Sequence, residues 1–148
     1  MKLGLILHDP EEEHDCFSDN THNSHYADES GMISIYSGKL KRRDGSTLTG
    51  PGIADLAAAQ APAEAKKLDA LMGDAELKLR AIRDRAESGK EAYDHMIAQG
   101  NDQGNRLVQS AIDALVAQAH GVEAVVAALN LKITVEGSES LDNPSAVQ

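Results

Sequence analysis

The densest chemistry in this chain lies between Glu11 and His25, in the run EEEHDCFSDNTHNSH. If the run is helical, steps of four, three, one and three put His14, Ser18, Thr21, His22 and His25 on one face, with Asp15 and Asp19 in an adjacent row. Imidazoles and carboxylates so spaced can chelate a borderline divalent ion such as zinc, iron or copper. The plain alternative is a polar helix face whose histidines cap or hydrogen-bond.

Two further patterns suggest hydrolysis. His8-x-x-Glu11 and His120-x-x-Glu123 are minimal HxxE matches, a spacing that can place two metal ligands, or a ligand and a base, on one helical turn. With six histidines and 24 acidic residues such matches are expected by chance, and neither extends to HExxH. Pro10 makes a regular helix across the first awkward unless it sits in the first turn. His120 borders an apolar stripe, where a structural role is the simpler reading. Ser18, Ser24 and Cys16 have histidines nearby but no nucleophile-elbow glycine pattern, which disfavours a serine or cysteine hydrolase.

These groups need a scaffold, and the composition of the 148 residues restricts it to about one domain. Aromatics make up 3% of the chain and Trp is absent, so the core must be built from aliphatic residues, Met and Ala, which suits closely packed helices. A net charge of -10 argues against nucleic acid and in favour of cationic partners, metal ions included. The short basic cluster Lys39, Lys41, Arg42 and Arg43 reads as a solvated loop or helix end. One cysteine excludes an internal disulfide or a multi-cysteine zinc site. MKLGLIL is too short for a signal h-region, and no stretch is expected to approach a membrane span.

Helical periodicity is clearest from about residue 53 to 131. Leu68, Leu71, Met72, Ala75, Leu79 and Ile82 form one stripe, with Pro62 in the first turn and Ser88-Gly89 at the end. Leu107, Val108, Ala111, Ile112, Leu115, Ala119, Val122, Val126 and Leu129 form a second. Between them Lys90 to Ala98 reads as a short helix with Tyr93, Met96 and Ile97 facing inward. Asp44-Gly45 and Gly50-Pro51-Gly52 mark turns, while Ile33 and Ile35 leave strand and helix open. To help bury the stripes, residues 2–25 are expected to form one more helix. The expectation is an all-α helical bundle, one domain over 1–131 with a polar, flexible tail over 132–148, completed by dimerisation or by a missing N-terminal half.

The run EEEHDCFSDNTHNSHY, followed by GMISIYSGKLKRRDGSTLTGPGIADL and later by HGVEAVVAALNLKITVEGSES, resembles the imelysin-like family, in particular its iron-regulated, peptidase M75-like members. The resemblance spans residues 2–141 and corresponds to the C-terminal part of larger, two-halved, all-helical proteins with a cleft between the halves. It implies a periplasmic or cell-envelope setting, association with iron or another metal, and binding rather than catalysis, because the hallmark GxHxxE motif is not in this chain. It assigns Glu13, Ser18, Asn20 and Thr21 to a ligand in the cleft and, with the face geometry, His14, Asp19, His22 and His25 to a metal. The partners expected are a metal ion or small ligand, and either a second copy or the missing half.

Overall fold

Leu68, Met72, Ala75, Leu79 and Ile82 are all buried along one face of a 26-residue helix, α4 (Pro62–Glu87), around which the rest of the chain is arranged. Pro62 at its start needs no amide partner, and Glu64 and Arg85 sit at the ends where the helix dipole favours them. The computed structural model describes residues 2–13 and 15–131; His14 and the tail expected over 132–148 lie outside the described residues.

Before α4 come α1 (Lys2–Leu5), two single 3-10 turns (Pro10–Glu12 and Cys16–Ser18), α2 (Thr21–Ser37), an antiparallel hairpin of β1 (Lys39–Lys41) and β2 (Thr47–Thr49), and α3 (Ile53–Gln60). After it come α5 (Tyr93–Ile97) and α6 (Asp102–Ala128). The fold is all-α, and the hairpin is an exposed excursion that carries the basic cluster on its strands and turn. The run holding Ile33 and Ile35 is helical, as the second half of α2.

The single helix expected over residues 2–25 does not form. The described residues of 6–13 and 15–20 form turns, with His8 at φ 76° and Asp19 at φ 47°, both in the left-handed region that stops an α-helix. Pro10 reinforces the break, since it restricts the residue before it to extended backbone. The one-face geometry imagined for His14, Ser18, Thr21, His22 and His25 therefore reduces to the last three, on α2.

α6 packs along α4, burying Gly104, Val108, Ala111, Ala114, Gln118, Gly121 and Val125. This line agrees with the expected stripe as far as Ala111 and then departs from it, leaving Ala119 and Val122 exposed. By length and composition alone α6 is apolar enough to cross a membrane, so the expectation that no segment approaches a span is corrected; here its buried face is a bundle seam. Gly104 lets α5 lie on the start of α6, because a Cβ there would sit 2.5 Å from the Met96 carbonyl oxygen. Asn101 caps the helix, its Oδ1 accepting from the Gly104 amide at 3.0 Å.

Two dry clusters result. One gathers Leu3, Ile6, Leu79, Ile82, Tyr93, Met96, Ile97, Val108 and Ala111; the other gathers Tyr36, Ala57, Ala65, Leu68, Met72 and Val125 at the far end of α4.

Candidate functional site

The turns between α1 and α2 lie against α5. The His8 amide donates to the Ile97 carbonyl at 2.8 Å, and the Asp9 amide to Ile6 at 2.9 Å, which carries the Pro10–Glu12 turn past the start of α5. Glu13 then turns inward and is only 4% exposed. It approaches Tyr93, whose hydroxyl is buried and has no hydrogen-bond partner among the described residues. Burial, and then the charge of Glu13, push the Tyr93 pKa well above its ordinary value, so the phenol keeps its proton. His25 closes the group, its ring 6.0 Å from that of Tyr93 and tilted by 56°.

A network of short polar contacts fastens the loop to α2. The Asp15 amide donates to Thr21 Oγ1 at 3.2 Å, Ser24 Oγ donates to the Asp15 carboxylate, and Ser18 Oγ donates to the Asp15 carbonyl at 3.1 Å. Thr21 is fully buried. Asn20 Oδ1 accepts from Asn23 Nδ2 at 3.0 Å, joining the residue before α2 to its first turn. Ser18, Asn20 and Thr21, assigned to a ligand by the resemblance, are thus joined to the loop and the helix start.

Over the buried Glu13 the loop leaves an open hollow of about 370 Å³, lined by Pro10, Glu11, Glu13, Cys16, Asp19 and Asp94. Four of these six carry carboxylates and none is basic. Phe17 stands beside it in solvent, fully exposed.

The expected metal set is divided. Asp19 lines the hollow; His25 packs on Tyr93; His22 turns toward α4, where its Nε2 lies 3.0 Å from Glu87 Oε1 and its Nδ1 has no partner among the described residues. The His22 contact, and then a 2.6 Å hydrogen bond from Asn23, hold the Glu87 carboxyl below its usual range. His14 lies outside the described residues, and among the described residues no three His, Cys, Asp or Glu side chains gather closely enough to hold a metal ion. The HxxE pairs do not build a site either. His120 and Glu123 meet at 3.1 Å but stand 71% and 75% exposed on α6, and His8 is exposed while Glu11 joins the hollow.

Sequence reasoning missed Asp94 and Tyr93 as members of this site. Tyr93 was read as an inward residue of a short helix, and nothing in its local pattern shows that Glu13 will meet it. Asp94 is separated from Asp19 by all of α2, the hairpin, α3 and α4, so only the tertiary fold joins them.

The imelysin family model (peptidase M75) matches residues 1–122, ending within α6, so the similarity expected as far as residue 141 extends beyond this match. No curated protein matches the chain. A family match over most of the chain, on an all-helical fold, shows that the chain belongs to the imelysin family.

Proposed function

We propose that this chain is a metal-associated binding domain of a cell-envelope imelysin protein, and that its acidic hollow forms one face of a cleft for a cation or a cationic ligand. The observation that carries this reading is the convergence of Glu11, Glu13, Asp19 and Asp94 on one hollow, with the Glu13 carboxylate held in the floor. Clustered carboxylates repel one another, and a bound cation relieves the repulsion. Because these side chains do not gather closely enough to enclose a bare ion, the oxygen-rich lining suits a cation that keeps most of its water, or the cationic group of a larger ligand. Ser18 and Ser24 both donate to Asp15, which supports binding over serine chemistry.

Isothermal titration of iron(II), zinc and copper(II) into metal-stripped protein tests the reading, with Glu13→Gln and Asp19→Asn as comparisons. The expected result is one saturable site weakened at least about tenfold by either change, equal to about 1.4 kcal/mol. Binding of equal strength in all three proteins contradicts it.

The same reading includes self-association. Met32, Ile35 and Ile53 are about half exposed or more and border an apolar groove of about 360 Å³ at the α3 end of the bundle. Sedimentation is expected to show a concentration-dependent mass rising to the dimer.

A further inference from the structure

One buried group takes no part in the hollow. Glu29, midway along α2, is 1% exposed, and its Oε2 accepts a 3.1 Å hydrogen bond from Gln118 Nε2 of α6, itself 4% exposed. Glu29 Oε1 has no partner among the described residues. A carboxylate in such a place is normally answered by a cation, yet the cations of this seam are engaged elsewhere. Arg80 donates to Glu76 at 2.6 Å, and Arg83 donates to Asp84 while its guanidinium lies 4.0 Å from the centre of the Tyr26 ring.

The groups facing Glu29 can be set out by element. α2 itself brings His25 and Tyr26 one turn earlier, and the Tyr26 hydroxyl donates to Glu76 at 3.1 Å. α4 brings Glu76, Arg80 and Arg83, of which Glu76 bears on the carboxyl directly and is negative. The buried face of α6 around Gln118 is Ala114, Gln118 and Gly121, all uncharged. The buried residue of α3 is Ala57.

We propose that Glu29 is a proton-operated latch: its neutral carboxyl lets α2 lie closed on α4 and α6, and loss of the proton loosens α2 from them. The direction of its titration agrees. Burial raises the pKa above the ordinary 4.5, the Gln118 hydrogen bond opposes this, and the Glu76 charge adds to it, leaving it raised. A raised folded-state pKa means that the folded chain holds this proton more tightly than the unfolded chain. The stabilisation is therefore complete below 4.5 and is lost as pH rises through the folded-state value. Gln118 also lines the apolar groove, as do Met32, Ile35 and Tyr36 of α2, so movement of α2 would widen that groove.

Hydrogen exchange on the full chain, corrected for the intrinsic pH dependence of exchange, tests the latch. In the wild type, protection of residues 21–37 is expected to fall by up to about tenfold per pH unit above the Glu29 pKa, as one-proton linkage requires, while the central turns of α4 stay protected. Glu29→Gln, a neutral isostere, is expected to keep α2 protected across the range and to raise Tm at about pH 8 relative to wild type. The latch is overturned if wild-type α2 protection is independent of pH, if Glu29→Gln retains the wild-type slope, or if this permanently neutral variant fails to fold.

Discussion

The two seams that meet on α4 are built from opposite materials. On one side α6 lies close, through Val108, Ala111, Ala114 and Gly121 against Leu68, Leu79 and Ile82, so this seam is held mainly by apolar burial. On the other side α2 is joined by His22 and Asn23 to Glu87, by Tyr26 to Glu76 and Arg83, and by Glu29 across to Gln118. The first seam is indifferent to protons, and the second is made largely of groups that gain or lose them. Rigidity and responsiveness are thus separated onto two faces of one helix, and the acidic hollow is anchored at the end where α2 begins.

The largest effect that separates the seams should come from the dry one. Leu79 is 2% exposed between α4, α5 and α6, and Leu79→Ala is expected to cost about 2–5 kcal/mol in urea unfolding, equally at acid and neutral pH. A cost that varied strongly with pH would break the comparison. Next comes the fastening of the loop. Thr21→Val keeps the shape but removes the acceptor for the Asp15 amide, with an expected loss of about 1–2 kcal/mol. It should also weaken cation binding, which titration reads, because the loop carrying Glu13 and Asp19 loses its tie to α2.

Within the polar seam two carboxyls pull in opposite directions with pH. Glu87 has a lowered pKa, so its contribution is present above the ordinary 4.5 and fades as pH falls through the folded-state value; that of Glu29 fades as pH rises. Thermal scans across pH are therefore expected to show a stability maximum, and Glu87→Gln should flatten its acid side alone. The smallest effect belongs to the surface. Lys78→Ala removes an i,i+4 pair with Asp74 at 2.8 Å and should cost only about 0.3–0.5 kcal/mol, diminishing in salt.

The same contrast explains what could be read in the sequence. α4, α5 and the first half of α6 declare themselves through apolar spacing, and Tyr93, Met96 and Ile97 are buried as that spacing implies. The later half of α6 misleads because small and polar residues, Ala114, Gln118 and Gly121, occupy the seam while Val122 faces the groove. α2 has almost no one-sided apolar character, so its inward face of His22, Tyr26 and Glu29 is invisible to periodicity. The candidate site was legible as a run of residue types, and Glu13 and Asp19 do reach one hollow. Its geometry was not legible, because His8 and Asp19 take left-handed conformations that turn an imagined helix into a folded loop. Asp94 and Tyr93 join only through tertiary packing.

The most direct test of the binding reading is amide NMR with sub-stoichiometric manganese(II), a paramagnetic probe that broadens only what it approaches. Broadening is expected to begin at Glu11, Glu13, Cys16, Asp19 and Asp94, the lining of the hollow, and to be displaced by zinc. Broadening spread evenly over the exposed carboxylates of α4 and α6, with no preference for this loop, would contradict the account.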